Sequence, residues 1–576
     1  MFEATKTTLF KTPSTSASTT TTTTPFVKAA KKKSAETLSG NGALKYENTD
    51  NPFIDQFGNL GNYKAPRPYA EIAADCETLW ATGKHRIAIA FMLYIRMITR
   101  VVVLFSGVST KASQKGAELR HEGIMRMVWL HARQEDIFWK NIGLFVSVGS
   151  WKDITTMLQY DLMYHGWAGR VLNWNKFGDL ILSALKNPAT SELLKKYLPQ
   201  IKTNSACKTV ASQADNILAK WICSLVFGGK ESSANYKKYR QLKTSGTAHQ
   251  WQQLISKRKF EEIDFATIHG RALHLLVKSK FLKNAGLEEK YKSWITAPET
   301  VAVKFTGFVH ELFKGLGANG TSGYGFGFGK CKYPTLTDVP LHEQETINKQ
   351  FATLVEKGKA EKEGMSGLIV VRDTSGSMSA EAQGSGMTCY AVAKALALYF
   401  SEFLKGRFSN SWIEFNTKAK MHTWKGKTPL EKWFNDGSGF VGNTNFQSVI
   451  NLFCALRTDI PEEDFPTGIL CISDGEFNPA HAGKTNVSYA LQALRDAGFS
   501  EEYVKNFVIV LWNLQSRYYG PKTGSKFETY ETDTPGVFYM SGYSASTVAF
   551  VTSKIKNAQE LFDEAMGQEI LQMVEV

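Results

Sequence analysis

Apolar positions along this 576-residue chain follow two different rhythms, and the change between them falls near residue 366. From about Asn51 to Leu316 apolar residues recur at helical spacing. The candidate helices are Tyr69 to Thr82, His85 to Phe105, Ser113 to Ala132, Ile137 to Phe145, Trp151 to Tyr164, Gly178 to Leu185, Ala211 to Phe227, His249 to Ser256, Thr267 to Val277 and Val301 to Leu316. Strand-like alternation is scarce and connections are short. This is the pattern of an α-helical repeat solenoid, although no fixed repeat period emerges. Ile87 to Val108 is apolar enough to raise the question of a membrane span. Arg96 and Arg100 lie inside it and oppose insertion, so the pattern predicts a buried helix and no membrane partner.

Beyond residue 366 short β-rich runs alternate with helix-length segments. The runs are Leu368 to Asp373, Trp412 to Phe415, Gly468 to Ser473, Phe507 to Trp512 and Val537 to Met540; the helical segments are Met387 to Leu404, Asn445 to Arg457, Val487 to Ala497 and a closing one from Thr547 to Met573. Strands alternating with helices predict a mostly parallel, doubly wound α/β sheet of Rossmann-like type. The expected organisation is therefore multidomain: a Ser/Thr-rich basic tail over 1–46, a helical domain over 47–316, a Gly-rich hinge and polar linker over 317–365, and an α/β domain over 366–576. The tail, with only Ser, Thr and Ala from Ser14 to Thr24, cannot bury enough apolar surface to order itself. Its lack of an apolar core argues against a secretory signal. Leu341 to Glu363 reads as a solvated helix leading into the sheet.

Candidate chemistry begins where the first of these strands ends. Leu368-Ile369-Val370-Val371-Arg372 delivers Asp373, and Thr374-Ser375-Gly376-Ser377 follows, placing hydroxyls at alternate positions after the carboxylate. These are hard oxygen donors with few charges, which suits Mg²⁺ or a similar divalent cation that keeps some of its water. An aspartic protease loop would need Asp-Thr-Gly and a second copy. A phosphotransferase Asp-x-Asp loop would need a carboxylate at Ser375.

Asp373-x-Ser375-x-Ser377 resembles the first loop of the metal ion-dependent adhesion site (MIDAS) of von Willebrand factor A (vWA) domains. That family uses two further loops. Gly439 to Asn445 supplies Thr444 for the second, and Asp474, at the end of Gly468 to Ser473, supplies the third. The resemblance implies a metal site of Asp373, Ser375, Ser377, Thr444 and Asp474, with hydroxyls bound directly and one or both Asp through water. It also implies an open coordination position that an acidic ligand fills. In the first half, Asn51-Pro52-Phe53, Phe57 to Tyr63, Val148 to Ile154 and Leu218 to Trp221 are similar to segments of TROVE-type helical ring proteins. The order, HEAT-like helices and then a vWA domain, is that of the Ro autoantigen family, and uncharacterised bacterial and viral proteins show the same pairing. What the two resemblances imply together is a ring closed by the vWA domain, with RNA in its hole and on its basic outer surface.

Charge bears on that expectation independently. Residues 367–576 hold 18 Lys and Arg against 23 Asp and Glu, so of the chain's net +14 the first 366 residues carry +19. Gly228 to Trp294 holds 14 basic against 6 acidic residues. Concentration of positive charge on one region is the footprint expected for phosphate backbones. The densest clusters nominate Lys237, Lys238, Arg240, Lys243, Lys257, Arg258 and Lys259 as nucleic-acid contacts, with Tyr236, Tyr239, Trp251 and Phe260 interleaved for stacking.

Other chemistries lack their residues. Seven cysteines with no C-x-x-C pair read as reduced thiols of an intracellular, cytoplasmic protein, and the 11 histidines show no zinc spacing. Gly315 to Gly320 matches Gly-x-Gly-x-x-Gly but follows no strand, so it is no dinucleotide loop. No catalytic constellation is visible. The sequence predicts an RNA-binding ribonucleoprotein scaffold rather than an enzyme; the alternative is an assembly module that binds a protein partner through its metal and no nucleic acid. Oligomeric state has no signature in the sequence.

Overall fold

The computed structural model describes residues 36–38, 44–46, 51–58, 60, 66–98, 100–103, 109–114, 116–229, 231–246, 250–305, 307–317, 331–361, 367–382, 385–438, 442–474, 478, 486–514, 536–541 and 558–576. The expected tail over 1–46 lies almost wholly outside them, as does the glycine-rich run from 318 to 330.

The first part of the chain is helical. It runs through α1 (Pro52–Gly58), α2 (Tyr69–Trp80), α3 (His85–Arg96), α4 (Arg120–Arg133), α5 (Glu135–Val148), α6 (Trp151–His165), α7 (Trp174–Lys186), α8 (Pro188–Tyr197) and α9 (Val210–Phe227). It continues through α10 (Ser233–Thr244), α11 (Gln250–Ser256), α12 (Gly270–Lys278), α13 (Phe281–Asn284), α14 (Glu288–Thr296), α15 (Val309–Leu312) and α16 (Leu341–Glu361). α3 packs on α4, α4 on α5 and α7 on α8, while α6 packs on α9 across the two helices between them.

Two predicted helices are shorter than expected. The expected His85 to Phe105 helix stops at Arg96, and the chain leaves it for an antiparallel hairpin, Arg100–Val103 against Ser109–Gln114. The run of β-branched Val101, Val102 and Val103 favours that extended path. Of Val301 to Leu316 only Val309–Leu312 is α-helical. Lys304 instead crosses Gly270 so closely that a Cβ there would sit 1.7 Å from the Lys304 carbonyl oxygen.

Arg96 also shows why the apolar stretch around it is core. Its guanidinium, 1 % exposed, meets Asp153 at 2.7 Å. Asp153 in turn accepts the Ser150 N–H at 2.8 Å, capping α6, and takes Arg120 at 3.1 Å. The segment Val148 to Ile154 is thus a structural hub where helix start and buried ion pair coincide. No helix among the described residues is long and apolar enough to cross a membrane.

The second part is a six-stranded sheet of β1 (Leu368–Asp373), β2 (Ser411–Phe415), β3 (Ala419–Thr423), β4 (Gly468–Ser473), β5 (Val508–Asn513) and β6 (Val537–Ser541), in the order β6-β5-β4-β1-β2-β3. All pairs are parallel except β2 with β3, an antiparallel edge that the apolar pattern did not announce. β1 is buried on both faces: Val370 packs into one apolar cluster and Ile369 and Val371 into another. The flanking helices are α17 (Cys389–Ser401), α18 (Pro429–Phe434), α19 (Gln447–Leu456), α20 (Asn486–Asp496) and α21 (Glu501–Asn506).

The polar segment expected to be a solvated linker helix is packed. α16 contacts α12, α14, α15 and α18, burying Ile347, Phe351 and Val355. Its Gln350 meets the buried His274 of α12 at 2.9 Å. The final helix, α22 (Ala558–Met566), leaves the sheet and packs on α1 and α3. Phe562 lies 5.6 Å, ring to ring, from each of Phe53, Phe57 and Phe91. Asn141 clamps the backbone of Glu575, donating to its carbonyl at 2.7 Å and accepting its N–H at 3.1 Å. The chain's last residues thus pack against helices of the first part as well as against β6.

Candidate metal centre and basic surface

Parallel pairing of β1 with β4 sets the carboxyl ends of these central strands side by side. Ligand sites in open α/β sheets form at such ends. Asp373 closes β1 with no exposed surface, and its Oδ1 accepts the Ser375 N–H at 2.8 Å, which folds the loop back on itself. The hydroxyls of Ser375 and Ser377 then stand 3.1 Å apart. At the end of β4 the Ser473 hydroxyl donates to Asp373 Oδ2 at 2.6 Å, and Asp474 follows, 2 % exposed.

The electrostatics of this arrangement are unfavourable on their own. Burial, with the charge of Asp474 second, pushes the Asp373 carboxyl up to about 7, against the donors from Ser473 and Ser375 that favour its ionised form. Two carboxyl groups and neutral hydroxyls make an all-oxygen, low-charge donor set that fits a divalent cation such as Mg²⁺. A cation there would offset the repulsion that the two Asp create.

The loop that holds Thr444 is stitched to the other two. Thr444, 2 % exposed, accepts the Asn478 N–H on its carbonyl at 2.9 Å, four residues past Asp474. Asn445 donates its N–H to the Asn416 carbonyl at 2.8 Å, and Asn416 donates its amide to the Thr374 hydroxyl at 3.0 Å. Glu414 accepts from Thr374 at 3.1 Å and lies 2.6 Å from His422. The five nominated residues thus occupy the carboxyl-end loops of β1 and β4 and the loop before α19. Gly439 to Val441 and Gly475 to Phe477 lie outside the described residues. Sequence reading missed Ser473, although its place one residue before Asp474 on the strand next to β1 marked it as a partner for Asp373. It also missed Asn416, Glu414 and His422, which reach the loop only because β2 and β3 pair at its side.

The nominated cations fall on the surface with one exception. Lys237, Lys238 and Arg240 are exposed on α10, and Lys257, Arg258 and Lys259 are exposed after α11. Among the described residues no carboxylate pairs with Lys237, Lys238, Arg240, Lys257 or Arg258, whereas Lys259 meets Glu262 at 2.6 Å. Lys243 is tucked inward, its ammonium capping the Leu198 carbonyl, and burial lowers its pKa. The interleaved aromatic residues divide in the same way. Tyr239 is fully buried, donating to the Pro199 carbonyl at 2.9 Å, and Trp251 belongs to the core. Tyr236 and Phe260 are half-buried.

None of the seven cysteines is in a disulfide among the described residues, and Cys331 alone is exposed. Residues 367–573 match a family described as a domain of unknown function, DUF7788. No curated protein matches the chain. Among solved structures the chain is similar to the Ro (RSR) protein of Deinococcus radiodurans, with 13 % identity over 78 % of this chain and 88 % of that one and a TM-score of 0.35.

Proposed function

We propose that this chain is an RNA-binding scaffold whose sheet domain carries a divalent-cation site for an acidic ligand. The observation that carries the RNA reading is the set of exposed cations Lys237, Lys238, Arg240, Lys257 and Arg258, without carboxylate partners among the described residues, within the first 366 residues, which hold net +19. Such cations exchange small counterions for phosphates, which favours binding through released ions and is indifferent to sequence. In the sheet domain, Asp373, Ser375, Ser377, Thr444 and Asp474 would hold Mg²⁺, and the bound cation supplies a positive centre for a carboxylate of a protein partner. Ser473 and the Ser375 N–H orient Asp373, and the stitched loops keep Thr444 beside Asn478. The reading assigns the protein no catalytic step.

The test is recovery of the chain from its native cells followed by sequencing of co-purified RNA. Enrichment of particular transcripts, lost on combined substitution of Lys237, Lys238 and Arg240 by Ala, is expected. RNA no more abundant than in a mock purification contradicts the proposal.

A further inference from the structure

A cavity of about 240 Å³ opens between α2, α4 and α6, with Tyr69, His121, Met125, Met157, Tyr160 and Tyr164 in its walls. None of the nominated cations lines it. Its charged groups are already engaged. Arg67 meets Glu122 at 2.6 Å and Asp75 at 2.7 Å, while Asp161 accepts the N–H groups of Val171, Leu172 and the Trp174 indole. What remains is a neutral, largely aromatic and thioether surface, suited to a flat uncharged ring. A cavity of roughly 150 Å³ holds benzene, and drug-sized pockets start near roughly 300 Å³, so this one matches a single larger heterocycle.

His165 also lines the cavity, and the pair of His121 and Tyr160 offers a polar handle for such a ring. His121 Nε2 lies 3.1 Å from the Arg67 carbonyl, which can only accept, so in the neutral imidazole Nε2 carries the hydrogen. Nδ1 is then the acceptor for the Tyr160 hydroxyl, 3.4 Å away. With its proton committed to His121, the Tyr160 oxygen keeps lone pairs for an N–H on the edge of a ligand. Two wall residues are exposed, Tyr164 at 59 % and Val171 at 43 %, and the residue before Val171 is a cation: Arg170 sets its guanidinium 3.7 Å above the ring of Trp167, itself 45 % exposed. Among the described residues no carboxylate pairs with Arg170.

We propose that this cavity is a nucleobase pocket: it takes one unpaired, amino-bearing base of a bound RNA strand, stacked among the Tyr and His rings, while Arg170 meets the adjoining phosphate. The inference rests on the RNA-binding reading above and adds a base-recognition site that the surface cations do not provide. Neutral walls select the base over the phosphate, and the cation at the lip selects a nucleotide over a purely apolar side chain.

The test uses the full-length chain and a short oligoadenylate carrying one 2-aminopurine, read by fluorescence and by affinity at fixed salt. Val171→Trp plugs the mouth from an exposed position, and Tyr164→Ala removes an exposed wall; circular dichroism checks that both remain folded. Wild type should quench the probe and bind the oligoadenylate about tenfold more tightly than an abasic strand of equal length, the scale of one stacked base. Val171→Trp should bring the two affinities together, Tyr164→Ala should narrow the gap, and oligouridylate should bind more weakly than oligoadenylate. If the wild type binds RNA in a salt-dependent way but Val171→Trp leaves affinity and quenching unchanged, the pocket is overturned and the RNA reading stands. If no RNA binds at all, both fall. If an indole-bearing peptide binds in a manner blocked by Val171→Trp while RNA affinity is untouched, the cavity serves a protein and the proposal is overturned.

Discussion

Arg372 and Asp436 form a 2.9 Å ion pair in which neither side chain is more than 1 % exposed, one residue before the candidate metal loop begins. The guanidinium lies 4.3 Å from the Trp412 ring centre and 4.8 Å from that of Tyr390, and Asp436 receives a second cation, Lys394, at 3.3 Å. The Ser438 N–H donates to Asp436 at 3.1 Å. This network fixes residues 436–438, upstream of the Thr444 loop, to the strand that delivers Asp373. One anion therefore serves two buried cations.

That stoichiometry ranks the substitutions. Arg372→Met leaves Lys394 to pair with Asp436, whereas Asp436→Asn takes the paired carboxylate from both cations at once. Breaking a buried pair costs about 3–5 kcal/mol, so Asp436→Asn is expected at or beyond the upper end of that range and Arg372→Met below it. Urea unfolding followed by the fluorescence of the sheet domain checks the order, and equal losses would contradict it.

His274 predicts an acid-sensitive joint between α12 and α16. It is 3 % exposed, held by Gln350 at 2.9 Å and the Glu311 carbonyl at 3.1 Å, and burial lowers its pKa to about 3. The folded pKa lies below the unfolded one, near 6.5, so the unfolded chain takes up a proton first as pH falls. Stability from this residue is complete above about pH 6.5 and declines toward pH 3, by about 2 kcal/mol at pH 5. A His274→Asn variant, compared with wild type by urea unfolding at pH 7.5 and pH 5, should show a pH-dependent loss smaller by that amount.

How far the sequence revealed this architecture depended on whether its signals were local. Leu368 to Asp373 and Gly468 to Ser473 announced themselves as strands because a run buried on both faces is apolar throughout. The oxygen-rich loop after β1 stood out for a related reason: Asp373, Ser375 and Ser377 lie within five residues. Ser473 and Asn416 needed the strand order, since they reach the loop by lateral pairing across β4 and β2. α16 looked solvated because its buried polar residues, Gln350, Thr346 and Glu343, find partners outside the helix; Tyr291 meets Thr346 at 2.7 Å and Tyr333 meets Glu343 at 2.6 Å. α10, dense in lysine, hid the inward turn of Lys243 and Tyr239 behind its composition.

Lys243 and Lys237 should separate by what they affect. Lys243→Met removes the cap on Leu198 from a partly buried site and should cost about 1.5–3 kcal/mol of stability, the value of a hydrogen bond to a charged group. Lys237→Met, at an exposed position, should stay within about 0.5 kcal/mol. Chemical denaturation of both variants distinguishes them.

The candidate metal centre predicts a thermal response to Mg²⁺. A cation that binds only the folded state adds about 2.7 kcal/mol at a hundredfold excess over its Kd. Wild type should therefore melt at a higher temperature in Mg²⁺ than in chelator, and Asp373→Ala and Asp474→Ala should not respond. A response of equal size in the Asp373→Ala protein would remove that residue from the site.

The salt dependence of RNA affinity tests the central claim most directly. Anisotropy with a labelled single-stranded RNA, repeated from 50 to 200 mM monovalent salt, should give a linear fall of log affinity with log salt. Combined replacement of Lys237, Lys238 and Arg240 by Ala should flatten that slope by up to about 2, since each phosphate contact on a single strand contributes about 0.7. Affinity that does not change with salt, or a slope that the triple variant leaves untouched, would contradict the assignment of this basic surface to RNA.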